Sequence, residues 1–414
     1  ADADVNLDVD SIIAEVEKIT SIDQILTGAN PGNITLLGEE FDEIYLNKVH
    51  TLSLSPESVG KFHDMKIAYT PLHGAGVRLV PASLRKWGFT NVSLVEEQAV
   101  IDGNFPTVES PNPEERKTMA KAIELGSRLG ADLVLATDPD SDRIGVALRN
   151  AKGEYVLLNG NQTLSLIMAY QLTRWSELGR LDGKEFVVKT IVTSQMPNVM
   201  AAHFGVKCYD CLTGFKYIAR IIRNNEGKAT YIGGGEESFG YLAGDFVRDK
   251  DAVSACSLVA EAAAWTRDTM GLTLYEWLQK LYVEFGFFRE GLVSVVRKGM
   301  EGAAEIQQMM VDYRADPPRE IAGSPVVKIN DFKLLESTDV RTGAKTPIEE
   351  EASNVLQWFA ADGTVVSVRP SGTEPKIKFY FGVRAELESV ADFDRVEAGL
   401  DAKIETIKKE LKLV

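Results

Sequence analysis

Short apolar runs, each followed by a glycine-bearing or polar loop and then by a helical pattern, recur through the first two thirds of the chain. "MKIAYTPLHGAGVRLVPASLRKWG" reads as strand, Gly loop and helix, and "DLVLATDPDSDRIGVAL" closes the same region. "EFVVKTIVTSQMPNVMAAHFG" opens a second block, continued by "VKCYDCLTGFKYIARII" and "ATYIGGGEESFGYLAG". Strands alternating with helical patterns predict α/β units. "AKGEYVLLNG" reads as a hairpin leading into the helix "NQTLSLIMAYQLTRW", which places a boundary near Gly153–Leu158. After about Gly286 the pattern changes. "EGLVSVVRK" and "SPVVKIND" read as strands, and "NVLQWFAADGTVVSVRPSGTEPKIKFYFGV" reads as two or three more, turned by Asp362-Gly363. The amphipathic helix "VADFDRVEAGLDAKIETIKKELKL" follows. The first forty residues offer one helix, "DSIIAEVEKI", with Ile12, Ile13, Val16 and Ile19 on one face, and no strand set.

The fold expected from this pattern is multidomain α/β, with mixed sheets in successive domains and a final α+β domain of antiparallel strands packed with helices. The expected divisions are 1–40 as a remnant and linker, 41–155 and 156–285 as α/β domains, and 286–414 as the α+β domain. A length of 414 residues fits two to four domains.

Composition narrows the partners. The 61 acids outnumber the 45 bases for a net charge of −16, which argues against nucleic acid or an anionic membrane. The excess is uneven: residues 1–60 hold twelve acids and two lysines, so the remainder is close to balanced and can hold phosphate sites. No apolar run approaches bilayer-spanning length, and "ADADVNLDVD" is the opposite of a signal peptide, so a cytoplasmic protein is expected. Cys208 and Cys211 form a CxxC without a second pair or a nearby His, which reads as ordinary thiols. His50, His63, His73 and His203 show no metal-binding spacing.

Three loops carry candidate chemistry. In "ATDPDSDRIGVA", Asp138, Asp140 and Asp142 alternate just after an apolar strand, with Arg143 beside them. Crowded carboxylates repel, and a hard cation such as Mg²⁺ relieves that cost; a solvated acidic turn is the alternative. In "GGGEESFGY" three glycines are expected to turn the backbone tightly and project Glu236, Glu237 and Ser238, groups that suit sugar hydroxyls. In "RPSGTEPK" Arg369 offers a fork of donors matched to phosphate, with Ser371, Gly372 and Thr373 adding hydroxyls and an unobstructed turn; an ordinary hairpin loop is the alternative.

Taken in order, "DPDSDR", "GGEESFG" and "RPSGTEPK", with the supporting stretches "FPTVESPNPEE" and "DFVRDKDAV", resemble the α-D-phosphohexomutases over nearly the whole chain. The "EESFGY" and "RDKDAV" variants look most like the branch acting on both glucose and mannose phosphates. The resemblance implies Mg²⁺ on Asp138, Asp140 and Asp142, and Arg143 beside the phosphoryl group in transit. It implies Glu236 and Ser238, not Glu237, on the sugar hydroxyls, and Arg369, Ser371, Gly372 and Thr373 on the stationary phosphate. Lys250 and the "TGFK" stretch, Thr213 to Lys216, are expected in the same cleft. The implied substrate is a hexose phosphate, interconverted between its 1- and 6-forms through a phosphoserine, with a hexose 1,6-bisphosphate as activator.

The family's serine loop, of the kind "TASHNP", does not occur in these 414 residues. "ESPNPEE" lacks its His, and Ser110 has no basic or metal-binding neighbours to serve instead. The expectation is therefore a family member lacking most of the first domain and inactive alone. An EF-hand fails because Arg143 and Arg149 stand where Gly and Glu are required. A haloacid-dehalogenase-type phosphatase with Asp138 as nucleophile leaves the other two loops unexplained. A phosphopentose substrate and a non-catalytic sugar-phosphate-binding fragment remain as alternatives.

Overall fold

The computed structural model describes residues 9–21, 24, 35, 37–297, 299–371 and 375–413. Residues Ala1–Asn47 form one compact unit and Lys48–Val414 a second. In the first, the helix Val9–Val16 leaves Ile12, Ile13 and Val16 exposed.

The second unit contains three sheets. β1 (Ile67–Thr70), β2 (Val92–Leu94), β3 (Leu133–Thr137), β4 (Ile144–Arg149) and β5 (Tyr155–Leu157) form the first, in the order β2-β1-β3-β4-β5. β1 runs parallel to β2 and β3, while β4 and β5 return antiparallel. β1 and β3 are buried at every position, as expected of parallel strands covered on both faces. β6 (Glu185–Thr190), β7 (Lys207–Cys211), β8 (Thr230–Gly235) and β9 (Tyr241–Ala243) form the second sheet, in the order β7-β6-β8-β9. Here too the first three are mutually parallel and the last is antiparallel.

The third sheet is antiparallel throughout: β10 (Phe287–Val296), β11 (Glu320–Ile321), β12 (Ser324–Asp331), β13 (Glu336–Asp339), β14 (Lys345–Pro347), β15 (Leu356–Ala360), β16 (Val365–Pro370) and β17 (Lys376–Ala385). The helix Phe393–Glu410 packs on β10 and β17, which matches the α+β pattern read from the sequence.

The helix Ala252–Met270 joins the first two sheets. Its N-cap Asp251 accepts from the amides of Val253 and Ser254, and it packs against the helix Gly76–Trp87, where Ser83 and Ser257 share a 2.7 Å hydrogen bond. Both α/β sheets therefore send their carboxyl-terminal loops to a common region, the usual place for ligand sites in such sheets. Among the described residues, no helix is long and apolar enough to cross a membrane.

The third sheet begins at β10, directly after Gly286 in a left-handed conformation at φ 97°. Glu290 on this strand bonds Ser194 of the loop after β6, and burial pushes its carboxyl from the ordinary 4.5 up to about 7. The proton is thus held more tightly in the folded chain than in the unfolded one. This contribution to stability is complete below about pH 4.5 and is lost as pH rises through about 7. Glu290→Gln should remove that loss, so denaturant midpoints of the variant and the parent should diverge between about pH 5 and 7; parallel curves would exclude it.

Candidate active site

The alternating aspartates occupy the β3–β4 turn. Asp138 is fully buried and Asp142 partly so, while Asp140 is exposed; their carboxylate oxygens lie within 4.8 Å of one another. Asp138 is anchored by its own loop. Oδ1 accepts from the amides of Asp142 (3.0 Å) and Arg143 (2.9 Å), and Oδ2 accepts from Arg143 Nε at 2.5 Å. Burial raises its carboxyl to about 6 despite those bonds and the arginine. Ser141 completes the turn at φ 59°, with a buried hydroxyl that has no hydrogen-bond partner. Asp142 Oδ1 is also buried without a hydrogen bond; its contact with Arg143 Nε is an ion pair at 3.5 Å. Three crowded carboxylates, one of them with a bare buried oxygen, fit a hard cation with oxygen ligands.

The second loop runs from β8 to β9 and departs from the expected form. Gly233, Gly234 and Gly235 do not make the turn; they are the last residues of strand β8. They are small because backbone approaches them: a Cβ on Gly234 would lie 2.1 Å from the Val188 carbonyl oxygen, and one on Gly235 would lie 2.1 Å from that of Gly240. The reversal falls instead at Phe239, at φ 68°. Glu236 is buried, accepts from the Gly214 amide at 2.8 Å, and has its carboxyl raised mainly by burial. Glu237 accepts from the hydroxyls of Thr190 (3.0 Å) and Thr193 (3.2 Å), which ties the loop to the end of β6. Ser238 follows, half-buried. The start of the helix Gly160–Glu177 lies directly against this loop, where a Cβ on Gly160 would sit 1.9 Å from the Glu237 carbonyl oxygen.

These two loops are hydrogen-bonded to each other. Arg143 and Gly240 form an antiparallel bridge, the Ile144 amide donates to Phe239, and the Ala252 amide donates to Ser141. Lys250 adds a 2.9 Å ion pair to Asp142 and a 3.1 Å pair to Asp249, so it belongs to the carboxylate cluster as much as to the Glu236–Ser238 loop. Its aliphatic stem runs over Gly240, where a Cβ would meet Lys250 Cδ at 2.2 Å. The "TGFK" stretch is beside them: Gly214 bonds Glu236, the Thr213 hydroxyl is buried without a partner, and the Phe215 ring lies 5.4 Å from Lys250 Nζ. Lys216 turns away to the Tyr217 ring, 4.9 Å from its centroid.

The third loop joins β16 to β17. Arg369 stands opposite Lys378 in the ladder and bonds the Tyr380 hydroxyl, and the Ser371 amide donates to Lys376. Gly372 and Thr373 lie outside the described residues. The Tyr380 hydroxyl feels the charges of Glu236, Glu237 and Arg369, and Glu114 feels those of Arg143, Lys378 and Glu237. All three loops therefore share one electrostatic neighbourhood.

Three residues not singled out from the sequence belong here. Lys189, fully buried, pairs with Asp210 at 2.9 Å and donates to the carbonyls of Thr190 and Thr193. Glu114 lies 3.8 Å from Arg143 Nη1, and Lys378 faces Glu114. The one available signal was the polar lysine interrupting "EFVVKT". Cys208 and Cys211 are free thiols on β7, three residues apart and hence on opposite faces; burial pushes both up.

Comparison with known proteins gives the same order of parts. Family models for phosphoglucomutase/phosphomannomutase match residues 43–153 (alpha/beta/alpha domain II), 159–285 (alpha/beta/alpha domain III) and 327–400 (C-terminal domain). A phosphoglucomutase of Staphylococcus aureus strain MRSA252 is 34% identical over 397 residues, covering 96% of this chain and 69% of that protein. A candidate phosphomannomutase from Thermus thermophilus superposes with a TM-score of 0.60 at 18% identity, over 90% of this chain and 66% of the other. The open form of parafusin from Paramecium does so at 0.58 and 14%, over 89% and 62%. The two structures show likeness of fold, and the chain spans about two thirds of the length of the proteins it matches.

Asp140→Asn removes an exposed carboxylate that holds the loop through no hydrogen bond among the described residues, so it should leave the fold intact. Calorimetry should show Mg²⁺ affinity falling about tenfold, ~1.4 kcal/mol. Unchanged affinity would remove the turn from any metal site.

Proposed function

Because the chain belongs to the phosphoglucomutase/phosphomannomutase family, we propose that its cleft holds a hexose phosphate for transfer of a phosphoryl group between the 1- and 6-positions of glucose or mannose. The observation that carries this reading is the convergence of a carboxylate turn, the Glu236–Ser238 loop and an arginine hairpin in one charged neighbourhood. A phosphatase acting through Asp138 is disfavoured, because it leaves the Glu236–Ser238 loop and the Arg369 hairpin without a role.

In this reading Arg369 grips the stationary phosphate through charge-assisted hydrogen bonds, with Ser371, Gly372 and Thr373 beside it. Glu236 and Ser238 accept and share hydrogen bonds with ring hydroxyls common to glucose and mannose. Arg143, held in place by Asp138 and Glu114, sets a positive charge next to the group in transit. Asp138, Asp140 and Asp142 would hold Mg²⁺, which neutralises negative charge on a transferring phosphoryl group. The relay implied by the family resemblance starts from a phosphoserine and passes through a bound hexose bisphosphate, which also serves as activator. No loop of the "TASHNP" kind occurs in residues 1–414, so we assign these residues the holding of substrate, metal and charge, not the donating serine.

Binding and turnover should therefore separate. The 414-residue chain should bind glucose 6-phosphate and mannose 6-phosphate with affinities within about tenfold of each other (~1.4 kcal/mol). Phosphorus NMR should show neither converted to its 1-phosphate, even with Mg²⁺ and glucose 1,6-bisphosphate. Arg369→Ala should remove most of the binding. Binding that ignores Arg369→Ala would make the hairpin a mere turn, and turnover above a heat-killed control would reveal a phosphoryl carrier within these residues.

A further inference from the structure

β4 begins at the carboxylate turn and ends, about 17 Å away at ~3.3 Å per residue, at Arg149. There a separate cavity of about 280 Å³ opens between the edge of the first sheet, the helix Ala252–Met270 and the segment after it. Met65, Leu148, Leu272 and Leu274 give it apolar walls, with Tyr275 beside them. Its charged groups are Arg149, Arg267 and Asp132. Asp132 is already paired to Arg267 at 3.1 Å, and the Arg267 guanidinium also lies over the Phe62 ring.

Arg149 is different. Its guanidinium lies 5.2 Å from the centroid of the Tyr155 ring, and among the described residues no carboxylate pairs with it. The guanidinium also bonds the Tyr155 hydroxyl, a neutral partner that leaves its charge unpaired. The half-buried Arg149 side chain lines the cavity, and an incoming oxyanion would give its guanidinium the charged partner it lacks there. In a chain of net charge −16, a cavity with two guanidinium groups and one carboxylate selects for anions locally. The volume is just below the usual range for drug-sized ligands, which limits the occupant to a small molecule, and the apolar walls ask for a hydrocarbon body.

We propose that this cavity is a second binding site, for a small organic oxyanion with an apolar or aromatic body, held by Arg149 and Arg267. It shares no residue with the cleft at the other end of β4 and does not depend on the mutase reading. The shared chemistry is a carboxylate or phosphate ester head, and the test separates the two.

Arginine Nε–H resonances report the site directly. The chain is titrated into the millimolar range with benzoate, phenyl phosphate, inorganic phosphate and benzyl alcohol, and Arg149 is assigned through Arg149→Lys. The Arg149 signal should move saturably with benzoate or phenyl phosphate, the tighter of the two identifying the head group. It should respond weakly to inorganic phosphate, which lacks the body, and not to benzyl alcohol, which lacks the charge. Arg267→Gln, and separately Leu272→Trp, which fills the cavity without changing charge, should each weaken binding about tenfold while the other arginine signals keep their positions. No saturable movement with either anion, or movement that survives either substitution, overturns the proposal.

Discussion

The site depends on one seam, the backbone pairing of Arg143 with Gly240 and of Ile144 with Phe239. A turn leaving one sheet is stitched to a turn leaving another, so the carboxylate cluster and the Glu236–Ser238 loop are positioned by the same hydrogen bonds. The Lys250–Asp142 ion pair and the Ala252–Ser141 bond close the seam from the far side. Close approach makes this possible. Gly240 has no side chain because Lys250 fills that space, and Gly235 has none because the Gly240 carbonyl does. Phe239 accepts a left-handed backbone to bring Gly240 there, a strain of order 1–3 kcal/mol that the surrounding contacts must offset.

The third sheet contributes by a looser route. Arg369 and Lys378 stand side by side on β16 and β17, and their charges reach the other loops through Tyr380 and Glu114. The sheet follows Gly286, and it meets the second sheet at Ser194 and Glu290, and at Gln357, which donates to the Ile191 carbonyl at 2.8 Å. A phosphate grip on a separate sheet suits the proposed chemistry, in which one substrate must be held in two orientations while the moving group stays near Arg143.

Much of this was legible in the sequence because it is local. Strand-loop-helix alternation gave the two α/β sheets, and the Asp362-Gly363 turn fell between β15 and β16 where alternation placed it. The aspartate turn could be read because like charges are rarely crowded without cause. What was missed depends on neighbours far along the chain. The glycine run looked like a turn, since nothing in "GGGEE" reveals that Val188 and Gly240 press their carbonyls against it. Lys189 looked like any polar residue in a strand, because its partner Asp210 lies on the adjacent one. Glu114 acquires meaning only when the fold brings it near Arg143 and within reach of the Lys378 charge.

If the seam is the organising element, damage to it alone should harm both halves of the site. Gly235→Ala forces a Cβ against the Gly240 carbonyl oxygen, at 2.1 Å, while replacing no proposed ligand-binding side chain. Paired calorimetric titrations of this variant, one with Mg²⁺ and one with glucose 6-phosphate, give the most direct test. The account predicts that both affinities fall together, each by about tenfold or more (~1.4 kcal/mol). Loss of one with the other unchanged, or of neither, would show that the two loops are independent and contradict it.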